Sequence, residues 1–133
     1  PGSWDVGARA VTAGGLGYSC HAAGRSCEPV AVDCRPADVS GCGGITEWVR
    51  VADVAASFGL QISGHCGRHL HVHVAAATPN LRHLEWFHDH VRIENMFFDG
   101  TLDPTGGAIT PAADAPGNGL TFKAADAESY RVR

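Results

Sequence analysis

The 133-residue sequence lacks the features that would place it in a membrane or on nucleic acid. No apolar run approaches the roughly 20 residues that cross a bilayer, and no charged-then-apolar signal segment opens the sequence, so we expect no membrane partner. Its 10 Lys and Arg residues are few against 14 Asp and Glu, and the net charge is -4. Scattered basic residues provide no phosphate-binding surface, which argues against a nucleic-acid partner.

Cysteine is present, but not in a pattern that indicates disulfides or a zinc ribbon. The count is odd and no CxxC pair occurs. The five residues are Cys20, Cys27, Cys34, Cys42 and Cys66. We therefore expect free thiols in a reducing compartment, with the cytoplasm as the predicted location, and we interpret Cys66 as a small inert thiol.

Hydrophobic spacing predicts alternating strands and helices in the middle of the chain. Strands are expected over residues 31–34, 60–63 and 81–85, with Pro36 near the end of the first, and a helix over residues 68–77. This order is typical of a parallel sheet with crossover helices. Weaker patterns indicate a short strand at 8–12, a helix within 19–30 and a short helix or irregular segment at 88–99.

A further helix is predicted after Gly43-Gly44. Its apolar residues recur at three- and four-residue steps, and Gly59 is placed to end it. The predicted apolar face consists of Ile45, Trp48, Val49, Ala52 and Ala56. The glycine pair is too short for a phosphate-binding loop, so we interpret it as a tight strand-to-helix turn.

Polar residues stand at the end of each predicted strand. Asp38 follows the first strand, His65 the second and Glu85 the third. Parallel strands present their carboxyl ends at one edge, where barrels and open α/β sheets place their chemistry. The sequence therefore predicts that these three side chains converge on a functional site.

Three segments carry a specific family resemblance: Ala-Asp-Val-Ser-Gly-Cys-Gly-Gly-Ile-Thr at 37–46, Ser-Gly-His at 63–65 and Leu-Glu-Trp at 84–86. In this order they resemble the carboxyl-terminal barrel half of the mandelate racemase and muconate lactonizing enzyme group of the enolase superfamily. The resemblance runs from about residue 31 to residue 123, and residues 1–30 match poorly. It implies an α/β fold: a single partial domain over 1–133, holding about strands 5–8 of a (β/α)8 barrel and a carboxyl-terminal tail.

The resemblance also implies a chemistry, the abstraction of a proton next to a carboxylate with a magnesium-stabilised enediolate. By this resemblance His65 is the general base or acid, Asp38 the partner that orients its imidazole, and Glu85 an acid that hydrogen-bonds the substrate carboxylate. The implied substrate is a sugar acid or 2-hydroxy acid, for a racemase or dehydratase. His88 and His90 either line the substrate mouth or are solvated loop residues.

The metal site is where the sequence departs from the family. Gly15 stands where the family has a metal-binding glutamate, and glycine has no side-chain oxygen to offer. The remaining Mg²⁺ ligands of the family would lie upstream of Pro1, so we expect that this chain alone does not bind Mg²⁺, and we assign no metal ligand in it.

Two alternative functions stay open. One is a non-catalytic remnant of the enzyme. The other is a histidine-rich metal-binding module, in which His69 and His73 form an i, i+4 pair on a helix; against it, the two histidines can be ordinary helix positions beside the core. A part-barrel would leave strand edges open, so self-association is also expected.

Overall fold

The computed structural model describes residues 33–132. The strand predicted at 8–12, the helix predicted within 19–30 and the position of Gly15 lie outside these residues. No helix in the described part has the length and apolar character needed to cross a bilayer.

The centre of the structure is a three-stranded parallel sheet. β1 (Cys34–Ala37), β2 (Gln61–Gly64) and β3 (Leu81–Leu84) lie side by side in that order. Both strand pairs are parallel, and a register irregularity falls between Ile62 and Ser63 where β2 meets β3. The predicted alternation of strands and helices is confirmed, with strand ends within one residue for β2 and β3.

Pro36 lies inside β1, which runs farther along the chain than the predicted strand at 31–34. The N–H groups of Gln61, in β2, and of His65, just after it, donate to the carbonyls of Asp33 and Ala37, respectively. Alternate residues of a strand direct their backbone polar groups to opposite edges, so the nitrogen of Pro36 faces away from β2. The missing N–H therefore costs the β1–β2 pairing nothing.

Helices cross between the strands and continue beyond them. Most of the remaining elements are short: α1 (Val39–Cys42), α2 (Ile45–Ser57), α3 (Arg68–Ala76), α4 (His88–Phe97) and α5 (Ala124–Ala127), with 3-10 turns at Thr105–Gly107 and Glu128–Tyr130. An antiparallel pair, β4 (Phe98–Asp99) and β5 (Thr121–Phe122), joins the end of α4 to the segment before α5.

The buried stripe of α2 differs from the predicted face. It consists of Trp48, Val51, Ala52 and Ala55. Ile45 and Val49, predicted to face the core, are 56% and 44% exposed, and Ala56 is exposed as well. The prediction of the helix itself is confirmed, and Gly59, at φ 72, follows its last turn as expected.

The core lies between α2 and the sheet. Trp48 is fully buried and its indole N–H donates to Oγ1 of Thr78 at 3.2 Å. Thr78 in turn donates to the carbonyl of Val74 at 2.7 Å. Since a buried polar group needs a partner, this chain of bonds lets the indole sit in the core and ties α2 to the end of α3.

Candidate active site

The carboxyl ends of the three parallel strands meet at one edge of the sheet. Asp38 follows β1 directly, and His65 and Glu85 follow β2 and β3. The backbone continues the pairing here, because the N–H of His65 donates to Ala37 and that of Glu85 donates to Gly64. The sheet thus carries the three predicted residues to neighbouring positions.

His65 and Glu85 are in direct contact. Nδ1 of His65 lies 2.7 Å from Oε2 of Glu85, and the two side chains are 35% and 29% exposed. An ionised carboxylate only accepts, so Nδ1 carries a proton, and in the neutral ring the lone pair is then on Nε2. The arrangement leaves Nε2 able to accept a proton, while the carboxylate stands ready to stabilise the imidazolium.

Asp38 does not share this bond. Its Oδ1 accepts from the backbone N–H of Ser40 at 2.8 Å and from the Ser40 hydroxyl at 2.7 Å, which makes it the N-cap of α1. The expected contact in which Asp38 holds the imidazole of His65 is therefore replaced by the one from Glu85. The physical reason is that the shorter Asp38 side chain turns back to satisfy orphan N–H groups of its own helix.

His71 lies beneath the site and was given no role from the sequence. It is fully buried; the N–H of Val39 donates to its Nε2 at 2.9 Å, and its Nδ1 lies 2.8 Å from the carbonyl oxygen of Gly67. Nε2 is thus an acceptor and Nδ1 a donor, which is the neutral imidazole. Burial lowers the pKa of His71, although the Gly67 carbonyl and Asp38 act in the opposite direction.

Neutral His71 does not form a hydrogen bond or an ion pair with Asp38. The 3.8 Å between Nε2 and Oδ1 of Asp38 is too long for a hydrogen bond, and Nε2 carries no proton to share. His71 therefore supports the loop before α1 as a structural group. Its spacing of three and four residues from the apolar Val74 and Ala75, both buried on α3, is the sequence signal that would have placed it inside.

Cys66 stands against the imidazole of its neighbour. Its Sγ lies 3.3 Å from Nε2 of His65, and its backbone N–H donates to Oε2 of Glu85 at 3.3 Å. Burial raises the pKa of the Cys66 thiol, and the carboxylates of Glu85 and Asp38 act in the same direction. The thiol is consequently protonated near neutral pH and not a ready nucleophile.

A second charged cluster joins α3 to α4. The guanidinium of Arg68, 2% exposed, donates to Oε2 of Glu94 and lies 4.3 Å from the centroid of the Trp86 ring. Nε2 of His69 is 3.1 Å from the same oxygen but outside hydrogen-bond geometry. Burial lowers the pKa of His69 despite the pull of Glu94, so the carboxylate is paired with Arg68.

His88 and His90, the predicted substrate-binding residues, are both exposed on the first turn of α4. The ring of His90 stacks on Phe87, with centroids 5.2 Å apart, and Phe87 meets His65 edge-on at 6.3 Å. His90 is therefore one aromatic ring away from His65. A substrate-binding role for either residue stays a prediction.

Two cavities lie away from this pair. One of about 460 Å³ is bounded by α3, β3 and the segment from Pro104 to Pro111, and another of about 440 Å³ by α4, β5 and the tail. Neither is lined by His65 or Glu85. The His65–Glu85 pair instead sits at an open, half-buried edge, which an additional chain segment or domain would have to cover to exclude water.

The donors at the edge do not suit Mg²⁺. Within residues 33–132, the group of three or more potential ligands that come together is His65, Cys66 and Glu85. Mg²⁺ requires near-octahedral oxygen ligands, whereas this group offers an imidazole, a thiol and one carboxylate. The described residues thus hold no Mg²⁺ site of the kind the family implies.

Parallel strands, crossover helices and a His–Glu pair at the strand carboxyl ends define a segment of an α/β barrel-type enzyme fold. The chain matches the family model described as "Enolase C-terminal domain-like" over residues 7–127. It belongs to that family, and the predicted place in the mandelate racemase and muconate lactonizing enzyme group of the enolase superfamily is confirmed.

Solved structures agree with this assignment. A mandelate racemase/muconate lactonizing enzyme-like protein from Rubrobacter xylanophilus is 38% identical, with a TM-score of 0.78 over 90% of this chain. An L-talarate dehydratase from Polaromonas sp. JS666, complexed with Mg and L-glucarate, is 28% identical, with a TM-score of 0.71 over 86%. An enolase from Bradyrhizobium, complexed with magnesium and mandelic acid, is 25% identical, with a TM-score of 0.77 over 92%.

The match covers only part of each relative. The chain spans 32%, 31% and 32% of these three structures, respectively, or about a third of their length. The predicted α/β class, as part of a barrel, is confirmed by the parallel sheet and by this coverage.

Proposed function

We propose that this chain forms the His65 side of a mandelate racemase-like active site, as the carboxyl-terminal part of such an enzyme, where His65 transfers the proton next to a substrate carboxylate. The observation that carries the proposal is the 2.7 Å contact between Nδ1 of His65 and Oε2 of Glu85. It supports the proposal because a carboxylate at Nδ1 favours the neutral tautomer whose lone pair is on Nε2, which is the tautomer that a general base needs.

The proton transfer itself involves only groups of this chain. Nε2 of His65 takes the proton from the carbon next to the carboxylate, and the electron pair of the broken C–H bond moves into that carboxylate to give an enediolate. The imidazolium that forms is stabilised by the Glu85 carboxylate across the Nδ1–H bond. Sγ of Cys66, 3.3 Å from Nε2, occupies part of the approach path and must turn aside when substrate binds. Asp38, as N-cap of α1, fixes the neighbouring loop.

The substrate class follows from the relatives. One was solved with L-glucarate and another with mandelic acid, so we assign a sugar acid or a 2-hydroxy acid to this site. His88 and His90 stand on the rim near Phe87, where a polar end of such an acid would reach them. Racemisation and dehydration begin with the same proton abstraction, and the site here serves either.

No magnesium step is included, because the described donors do not fit Mg²⁺. That misfit is also the observation behind the second candidate, a non-catalytic remnant of the enzyme. The third candidate, a histidine-rich module built on His69 and His73, has less support: His69 is packed against Glu94 and Arg68, and the ligand group found within 33–132 lies around His65 instead. A cytoplasmic location stays a prediction.

Deuterium exchange tests the proposal. The full 133-residue chain is incubated in D₂O with mandelate and, separately, with L-glucarate, and deuterium at the carbon next to the carboxylate is followed by NMR. We expect slow exchange that His65→Asn reduces by about 100-fold, since a positioned acid–base group contributes about that much or more. Added Mg²⁺ should leave the rate unchanged.

The matched control is His83→Asn, which removes an exposed histidine of β3 and should preserve the exchange. Equal loss in both variants would show that the loss is not specific to His65, and it would count against the proposal. If the unmodified chain gives no exchange above buffer, the proposal fails and the non-catalytic remnant is favoured.

A further inference from the structure

Three donor groups of different chemistry meet at the carboxyl edge of the sheet. The imidazole of His65, the thiol of Cys66 and a carboxylate oxygen of Glu85 present atoms that all lie within 4.8 Å of one another. All three residues are partly exposed, so an ion from solvent reaches them without unfolding. They lie in two segments brought together by the β2–β3 pairing.

The backbone at Cys66 is bent in an unusual way to produce this arrangement. Its φ is 51, and it is the non-glycine residue with positive φ in the described part of the chain. Such a conformation is uncommon outside glycine, asparagine, aspartate and histidine, and it persists where the surroundings impose it. Here the Cys66 N–H is held by Glu85, and the thiol is turned towards Nε2 of His65.

The geometry points to a binding site for Zn²⁺, or another thiophilic divalent ion, held by Nε2 of His65 and Sγ of Cys66. Zinc bonds to nitrogen at about 2.0–2.1 Å and to sulfur at about 2.3 Å, so tetrahedral ligands would stand about 3.6 Å apart. The observed separation of 3.3 Å is close to that value. A small rotation of the thiol is sufficient to admit the ion.

Glu85 completes the arrangement from the other side of the ring. A carboxylate that accepts from the second nitrogen of a zinc-bound histidine fixes the ring and raises its basicity, and Oε2 of Glu85 already accepts from Nδ1 at 2.7 Å. On binding, the thiol releases its proton to solvent and coordinates as thiolate. Water fills the remaining positions, because Glu85, bonded to Nδ1 on the far side of the ring, does not reach an ion on Nε2.

The donor set also determines which ion is selected. Imidazole and thiolate favour zinc and its neighbours over Mg²⁺ and Ca²⁺, which prefer oxygen. Cys66, interpreted from the sequence as a small inert thiol, is then a metal ligand. The ion-binding site does not require that His65 transfers protons, because it rests only on the position of the donors.

Metal titration of the intact, reduced chain tests the site. Zn²⁺ is titrated by calorimetry, and Co²⁺ is used as a spectroscopic probe because a thiolate ligand gives an intense near-ultraviolet charge-transfer band. We expect one Zn²⁺ per chain, a thiolate band with Co²⁺ and no saturation with Mg²⁺. Cys66→Ser should remove the band, and Cys66→Ser and His65→Asn should each weaken Zn²⁺ binding by at least about 10-fold.

Glu85→Gln should weaken binding by about 10- to 100-fold without removing the band, because it perturbs the ring and not a required ligand. Two control variants separate this site from other donors. A chain with Cys20→Ser and Cys27→Ser, and a chain with His69→Asn and His73→Asn, should both keep the Zn²⁺ affinity.

The proposal is overturned by an absence of saturable Zn²⁺ binding to the unmodified chain. It is also overturned if Zn²⁺ binding survives both Cys66→Ser and His65→Asn, or disappears in either control chain. Circular dichroism and the thermal transition of each variant confirm that it is folded, and Cys66→Ser, which changes one atom, keeps the test valid if His65→Asn is unstable.

Discussion

Oε2 of Glu85 accepts a hydrogen bond from Nδ1 of His65 at 2.7 Å and holds one tautomer of that imidazole. The same oxygen accepts the N–H of Cys66, so a single carboxylate orders the whole turn after β2. The bond spans 20 positions of sequence and joins the ends of two adjacent parallel strands.

The Glu85→Gln variant should lose this control of the tautomer. The amide presents both an acceptor and a donor, so it no longer requires the proton to sit on Nδ1. In ¹⁵N NMR of the neutral ring, we expect one tautomer with the proton on Nδ1 in the unmodified chain and a mixture in Glu85→Gln. Asp38→Asn should leave the tautomer unchanged, because Asp38 bonds to Ser40. A tautomer that responds to Asp38→Asn alone would restore the partnership predicted from the sequence.

The stability of the chain should fall as the pH is lowered below about 6.5. His71 and His69 have folded-state pKa values lowered by burial from the ordinary value of 6.5. Below about pH 6.5 the unfolded chain binds more protons than the folded one. The free energy of unfolding therefore decreases as the pH falls and increases as the pH rises. Each group contributes a slope of at most about 1.4 kcal/mol per pH unit.

Urea unfolding at about pH 7.5 and about pH 5.5 measures this effect. His71→Gln should lower the free energy of unfolding at both pH values, because the N–H of Val39 and the carbonyl of Gly67 lose their hydrogen-bond partner. It should also reduce the difference between the two pH values, because one of the two buried histidines no longer contributes to it. His83→Gln, at an exposed position, should change neither quantity. A free energy of unfolding that is equal at the two pH values would contradict the neutral, buried state assigned to His71.

The sequence was sufficient for β2, β3, the helices α2 and α3 and the edge where His65 and Glu85 meet, because hydrophobic spacing is local and the rule for parallel strand ends is topological. It placed β1 three residues too early. It was not sufficient for the stripe of α2. Ala and Val residues occur on several sides of that helix, so its sequence is compatible with more than one apolar face. Which face is buried is determined by packing against the sheet.

The sequence also did not predict which side chains contact each other at the site. Which carboxylate meets His65 depends on side-chain length, on the register irregularity in β2 and on the capping demand of α1, and these become visible only when the strands are assembled. The positive φ of Cys66 has no sequence signature, since cysteine does not favour that region. The pairing of Arg68 with Glu94 joins residues 26 positions apart and required the docking of α4.

The chain should self-associate in solution. Within residues 33–132 the sheet ends at β1 on one side and β3 on the other, and α2 exposes Ile45 and Val49. Open strand edges and apolar surface both favour contacts between chains. Light scattering coupled to size-exclusion chromatography should therefore report species larger than a 133-residue monomer.

Two double lysine variants of α2 test this prediction, one at exposed apolar positions and one, the control, at exposed polar positions. Ile45→Lys with Val49→Lys should shift the population towards monomer, because two charges interrupt the apolar surface. Thr46→Lys with Ser57→Lys adds the same charge at positions that are already exposed and polar, and it should leave the distribution unchanged. A monodisperse monomer with a cooperative thermal transition in the unmodified chain would refute the prediction.

The pairing of Arg68 with Glu94 should be a larger source of stability than the ion pairs on the surface. Arg68 is 2% exposed, and Glu94→Gln would remove the carboxylate that neutralises its buried charge while the cation–π contact with the neutral Trp86 ring stays. Removing one member of a buried pair costs about 3–5 kcal/mol, and we expect about 2–3 kcal/mol here because the Glu94 side chain is 22% exposed.

The control is Glu128→Gln, which makes the same chemical change in an exposed pair with Arg131, 3.0 Å apart. Its side chains are 73% and 62% exposed, so the loss should stay below about 1 kcal/mol. Denaturant unfolding of both variants gives the comparison. Replacing both charged residues by apolar ones, in the double variant Arg68→Met with Glu94→Leu, should recover most of the lost free energy of unfolding, since no unpaired charge is then buried. Equal losses in Glu94→Gln and Glu128→Gln would mean that Arg68 is solvated in the folded chain and that the α3–α4 contact is not held by its charge.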